Sequence, residues 1–242
     1  MNLLKDNVYK LYFKYFFPTM CAALSTSIYI LFDTIFIGQG VGSLGLTALN
    51  IALPIYSIYF GTGLLIGIGG STLMSIEKGR EREDKAQKIF TLSFVFGLIL
   101  AIIYTIVGFV FLEEIAVILG ATKEVLPLVK EYMIVVVFGT IPFVMGSILA
   151  PFIRADKAPK KAMFAVIFSG VLNIILDYIF VFPLKMGMKG AAIATVFSYT
   201  ISFLILLTHL LSKNNTLKFK SGFYKLTNVI RIIKCGLPSL FI

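Results

Sequence analysis

The chain has 242 residues, 58% of them hydrophobic and only 14% charged, with a mean hydropathy of +0.95. Soluble domains carry about a quarter charged residues, so a water-soluble globular domain is excluded. The net charge of +10 does not mark a nucleic-acid partner, because Lys and Arg sit in short connectors and form no compact basic domain.

The apolar excess falls in blocks long enough to cross a hydrocarbon core, which takes about 20 helical residues. Strand alternation is absent, which argues against a β-barrel. The fold class is therefore an all-α polytopic membrane protein. Met1 to Lys10 is short and mixed in charge, and the apolar block after it is too long for a signal-peptide core, so no cleavage is expected.

Six spans are predicted, at about 11–37, 46–76, 88–112, 127–153, 161–182 and 190–211. The first contains Pro18, Tyr29 and Asp33. The second contains Asn50, which has no obvious partner, and the Gly63 to Gly67 spacing of a close helix contact. The run from Glu77 to Lys88 reads as a solvated helical turn with i,i+4 ion pairs. Pro18, Pro54, Pro142 and Pro151 each remove an intrahelical hydrogen bond and permit a kink. The fifth span contains Asn173 and Asp177, and the sixth contains Thr195. His209, the only histidine, reads as an interfacial residue. Cys21 and Cys235 are too few for a disulfide framework and read as packing residues. The many Phe and Tyr read mainly as lipid-facing packing, or as a cavity wall for aromatic cations.

A seventh apolar block begins near Ile230. Lys14 to Thr19 (KYFFPT) and Lys234 to Ser239 (KCGLPS) share the pattern K-x-x-x-P-[ST]. Six crossings between them return the chain to one side, which is the trace of a parallel repeat. The organisation predicted is a six-helix bundle over 1–212, a linker over 213–229, and the opening of a second repeat, helix 7, over 230–242. All but four of the 22 Lys and Arg fall on one side of these spans. The exceptions are Lys123, Lys130, Lys185 and Lys189. This asymmetry places the N-terminus in the cytoplasm and the chain in the cell membrane.

Between Lys14 and Glu77 the only charged residue is Asp33, and between Lys161 and Lys185 it is Asp177. A carboxylate at membrane depth costs several kcal/mol and is rarely retained without a use. Counted from the outer ends of their spans, Asp33, Asp177 and Thr195 lie at one depth, about 8–9 Å in. Asn173 and Asp177, like Tyr29 and Asp33, are i,i+4 and share a helix face. The short turn between the fifth and sixth spans makes them antiparallel neighbours. Asp33, Asn173, Asp177 and Thr195 together offer hard oxygen ligands for Na⁺, or a pair of desolvated acids that could carry a proton. Either aspartate alone could instead snorkel or bond the backbone.

No HExxH, GxSxG, P-loop or Cys/His metal spacing is present. The chain reads as no enzyme and as needing no cofactor beyond a coupling ion, Na⁺ or H⁺.

Four stretches carry a family resemblance. They are Phe32-Asp33-Thr-Ile-Phe-Ile-Gly-Gln-Gly, Arg154-Ala-Asp156-Lys-Ala-Pro159, Asn173-Ile-Ile-Leu-Asp177-Tyr-Ile-Phe-Val-Phe and Gly187-Met-Lys-Gly-Ala-Ala-Ile-Ala-Thr195. The chain resembles the N-terminal half of a multidrug and toxic compound extrusion (MATE) transporter of the MepA- and DinF-like branch. The resemblance implies twelve helices in two six-helix bundles. It also implies export of amphipathic, often cationic compounds in exchange for Na⁺ or H⁺. Asp33, Asn173, Asp177 and Thr195 match the family's N-terminal cation site, and Tyr29 and Pro18 match residues tied to bending of the first helix. The C-terminal bundle is the missing partner, in the same complete chain or another. Two alternatives remain at this stage. One is a flippase for a lipid-linked precursor, which needs a basic cavity that these spans do not supply. The other is a non-transporting half-module that assembles with a partner.

Overall fold

The computed structural model describes residues 8–213, 215–222 and 226–241. The readings of the N-terminal stretch with Lys5, and of Lys225, fall outside the described residues. In chain order the helices are α1 (Val8–Gly40), α2 (Ser43–Gly79), α3 (Glu83–Val110), α4 (Leu112–Ile118), α5 (Leu126–Phe138), α6 (Thr140–Ala155), α7 (Pro159–Val181), α8 (Gly187–Leu207) and α9 (Leu226–Gly236). A 3₁₀ turn over Leu237–Phe241 follows.

Five helices, α1, α2, α3, α7 and α8, are each long and apolar enough to cross a membrane, and α5 with α6 makes a sixth crossing bent by 54°. The predicted fourth span is therefore broken rather than continuous. The break falls at Gly139, between α5 and α6. Pro142 sits in the first turn of α6, where its missing N–H is tolerated and the carbonyl four residues back loses its helical donor. A side chain at Gly139 would collide with Val196 of α8. By contrast, Pro18, Pro54 and Pro151 lie inside continuous helices.

The turns alternate between two ends of the bundle, called here the Gly40 end and the Gly79 end. α2 and α6 form the centre, where Ile66, Val144, Ile148, Leu149 and Phe152 are fully enclosed. Gly63 and Gly67 make that contact possible. A Cβ on Gly67 would stand 2.9 Å from the Ile148 carbonyl, and one on Gly63 would stand 3.1 Å from the Val144 carbonyl. α7 packs on both α1 and α8, as the short turn between the fifth and sixth spans requires. Ile99, Ile103, Ile106 and Val110 are exposed along α3 at i, i+4, i+7 and i+11. This apolar stripe is stable against lipid and not against water.

α9 opens before Ile230 and is packed against α2. A Cβ on Gly69 would collide with the Ile232 carbonyl, and one on Gly236 with the Leu65 carbonyl. The two K-x-x-x-P-[ST] copies differ in form. Pro18 lies within α1, whereas Pro238 lies in the 3₁₀ turn after α9.

The charge run is only partly solvated. Gly79 to Lys85 are exposed, and Lys88 pairs with Asp84 at 2.8 Å. Glu77 and Gln87 are buried. Glu77 has Arg80, Arg82 and Arg231 around it at 3.6–3.9 Å. Asn50 is satisfied locally, its Nδ2 donating to the Leu46 carbonyl at 2.9 Å. Cys21 and Cys235 are both free and half-buried.

Candidate functional site: a buried acid cluster between α1, α7 and α8

α7 turns its buried face towards α1 and α8 through Gly170, Asn173, Asp177 and Val181. These positions follow i, i+3, i+7 and i+11, the spacing of one helix stripe. Gly170 sets the close approach, since a Cβ there would stand 2.9 Å from Ser25 Oγ of α1. Two turns further along, Asp33 of α1 meets Asp177. On the other flank, Asn173 Nδ2 donates to Thr195 Oγ1 of α8 at 3.4 Å, and Asn173 also stands beside Asp177. The four side chains singled out from the sequence thus converge. Asp177 is 0% exposed, Asn173 2%, Thr195 7% and Asp33 9%.

Their chemistry is unbalanced. Asp33 Oδ1, both carboxyl oxygens of Asp177 and Asn173 Oδ1 are buried and meet no donor among the described residues. Native interiors leave very few such atoms unpartnered. Two carboxylates in contact repel, so the pair is stable when a cation or a proton lies between them. No group of three His, Cys, Asp or Glu side chains converges among the described residues. The donor set is therefore two carboxyls, an amide and a hydroxyl, which suits a hard monovalent cation or a proton rather than a soft metal.

An aromatic wall adjoins the acids, and sequence reasoning did not assemble it. Tyr29 OH and Tyr199 OH are 2.5 Å apart. The Tyr199 ring lies 4.2 Å from Phe143, and Phe143 lies 5.5 Å from Tyr56. Tyr56 OH donates to Tyr132 OH at 3.2 Å. Tyr29, Tyr56, Tyr132 and Tyr199 all lie within electrostatic reach of Asp33. Five helices thus contribute one ring each. Tyr29 was marked by its i,i+4 spacing to Asp33, and Tyr199 had an unused signal of the same kind, its i+4 spacing from Thr195. Pro18 is buried in α1, fifteen positions before Asp33 and thus about 22 Å away along the helix, so it is no part of this cluster.

A second polar cluster was also missed. At the Gly79 end, just past α8, His209 is only 2% exposed, and its Nε2 lies 2.9 Å from Asp156 Oδ2. Lys78 Nζ lies 3.5 Å from Asp156 Oδ1, and the Thr216 N–H donates to Asp156 Oδ2 at 3.0 Å. Burial alone would raise the Asp156 carboxyl. The Thr216 hydroxyl and N–H, the His209 ring and the Lys78 charge outweigh it and hold the group below its ordinary value of 3.8. The available signal was a lone histidine together with Asp156 in the Arg154 to Pro159 stretch.

Comparison with known proteins fits this architecture. The MatE family model matches residues 18–179. The multidrug export protein MepA of Staphylococcus saprophyticus is 32% identical over 238 residues, covering 97% of this chain and 52% of the relative. MepA of Staphylococcus aureus is 31% identical with the same coverage. The chain therefore spans about half the length of these relatives. A MATE crystal structure in complex with MaD3S superposes with a TM-score of 0.86 at 26% identity, covering 94% of this chain and 52% of that one. An outward-facing multidrug resistance MATE transporter superposes at 0.85 and 26%, covering 94% and 51%, and an inward-facing one at 0.82 and 25%, covering 88% and 49%. The six-helix bundle, its acid pair and these likenesses together place the chain in the MATE family of multidrug efflux transporters, of which it forms one lobe.

Proposed function

We propose that this lobe carries the coupling-ion site of a secondary transporter that exports amphipathic, often cationic compounds. On this reading Na⁺ or H⁺ enters from outside the cell and occupies the space between Asp33 and Asp177. Asn173 and Thr195 supply neutral oxygens. Tyr29 braces α1 against α8 through Tyr199, and Pro18 lets α1 bend. Neutralising the acid pair changes which face of the transporter is stable, and substrate leaves outward. The observation that carries this reading is the set of buried acid and amide oxygens without donors, a state that a cation or proton relieves. Relatives solved facing outward and inward support alternating access. The membrane potential adds about 2.3 kcal/mol per charge per 100 mV, enough to bias such an equilibrium.

The reading places the N-terminus in the cytoplasm and the chain in the cell membrane, with no cofactor beyond the ion. It treats residues 1–212 as the first bundle, 213–229 as the linker and 230–242 as the start of a second repeat. The partner bundle supplies the other half of the substrate cavity. The test uses the complete transporter. Asp33→Asn and Asp177→Asn should each abolish gradient-driven efflux in cells while leaving membrane insertion intact. Imposing a Na⁺ gradient and a pH gradient separately on proteoliposomes then identifies the ion. Wild-type efflux in both variants would sink the reading.

A further inference from the structure

The segment after α8 is not a slack tether. Asn215 folds back on itself, its Nδ2 donating to the carbonyls of Leu210 and Leu217 at 2.9 Å each and its Oδ1 accepting from the Leu217 N–H at 2.8 Å. Thr216, Lys218 and Lys220 then present their backbone to α3. Gln87 Nε2 donates to the Thr216 carbonyl at 2.7 Å, and Gln87 Oε1 accepts from the Lys218 N–H at 2.7 Å. Thr91 Oγ1 accepts from the Lys220 N–H at 2.9 Å.

The spacing is matched. Gln87 and Thr91 are one helical turn apart, about 6 Å. Two residues of extended chain cover about 6.6 Å. Leu217 is buried, and the Phe219 ring lies 5.1 Å from both Phe90 and Phe94. Lys220 Nζ reaches Asp84 Oδ1 at 2.5 Å. Lys220 first, and Lys88 with it, hold the Asp84 carboxyl at about 2.

Asp156 fastens the start of this segment. Four donors converge on it: Thr216 N–H, Thr216 Oγ1, His209 Nε2 and Lys78 Nζ. Lys78 also donates to Thr216 Oγ1 at 2.6 Å. The carboxylate, an acceptor at both oxygens, thereby joins α2, the end of α6, the turn after α8 and the connector.

We propose that residues 215–220 form a strap locked to the first bundle by Asp156 and Gln87. The strap moves with that bundle as a rigid arm and passes its motion to the segment that follows. Asp156 is a positioning residue here, since it touches neither ion nor substrate, and its role as an arm rests on the alternating-access reading above.

Hydrogen exchange of the membrane-inserted chain tests the lock directly. Asp156→Asn sets an NH₂ group against converging donors, and Gln87→Leu removes both bonds to the strap backbone. Each should speed exchange over 215–220 at least tenfold, with α7 and α8 unchanged. A strap that exchanges as fast in the wild type as in the variants overturns the proposal. So do variants that loosen α7 and α8 as much as the strap. In the complete transporter, a released strap should lower efflux several-fold with substrate binding changed less than about twofold. Full efflux with a released strap refutes the arm. Strap exchange does not depend on Asp33 or Asp177, so failure of the coupling-ion reading leaves the lock measurable on its own.

Discussion

Asp156 is the residue whose environment makes the clearest prediction. Its carboxylate is almost fully enclosed, accepts from Thr216 and His209, and faces the Lys78 ammonium. Removing one partner of such a buried ionic cluster leaves the others without compensation, at a cost of roughly 2–4 kcal/mol. Asp156→Ala should therefore lower the melting temperature of the detergent-solubilised protein. The pH dependence has a definite sign. The carboxyl is held below 3.8 in the folded protein, so its stabilisation is complete above the unfolded-state value. It is lost as pH falls through the folded value. The melting gap between wild type and Asp156→Ala should shrink as the pH falls below about 4. A gap that widens on acidification below about pH 4 would contradict the assignment. Asp33 and Asp177 stand in a different situation, since Asp33 Oδ1 and both Asp177 carboxyl oxygens are buried and meet no donor among the described residues. On the proposed reading, that contrast separates a structural carboxylate from one held ready for a cation.

At the scale of elements, glycine placement decides which helices come close. α2 meets α6 across Gly63 and Gly67, α7 meets α1 at Gly170, and α9 meets α2 at Gly69 and Gly236. At Gly67 the neighbouring atoms are Ile148 backbone, which cannot swing aside as a side chain can. Gly67→Val should push α2 from α6 and cost about 1–3 kcal/mol, read as a lower melting temperature. Gly79→Ala is the matched control, since nothing lies within 4 Å of a Cβ there, and it should melt like wild type. The spacing of Gly63 and Gly67 was readable from the chain. Their partner helix was not, because the repeat of small residues marks a contact face without naming what covers it. The same limit applies to Pro142. Its effect as a helix breaker depended on Gly139 beside it, while Pro18, Pro54 and Pro151 are carried inside helices.

At the scale of the whole molecule, charge and connectivity combine. Lys123, Lys130, Lys185 and Lys189 lie in or beside the turns at the Gly40 end, while Lys78, Arg80, Arg154 and Lys160 lie at the Gly79 end. On the proposed topology, the positive-inside rule assigns the Gly79 end to the cytoplasm. With Cys21 and Cys235 replaced by Ser, Lys123→Cys should react with an impermeant maleimide on intact cells, and Lys160→Cys should react only after permeabilisation. The reverse pattern would invert the topology and put the acid cluster near the inner surface. With Asp33 seven residues and Asp177 four residues from the last residue of their helices at the Gly40 end, both lie about 6–10 Å inside it. An ion arriving from that side has the shorter path.

The class of the protein, its six spans, the charge asymmetry of its turns and the acid cluster could all be read along the chain. Each of these is a local property. Apolar blocks, charged connectors and i,i+4 spacing within one helix need no knowledge of which helix lies next to which. The cluster was reachable because the two aspartates stand alone in their spans, where burial of a charge is costly. Tertiary structure alone decided what depends on neighbours distant along the chain. It closed the ring wall from Tyr29 to Tyr132, enclosed His209 with Asp156, bent the fourth crossing at Gly139, and laid 215–220 along α3. Hydrogen bonds and ring contacts of that kind join residues up to 170 positions apart. The spacing of residues along one helix holds no record of them.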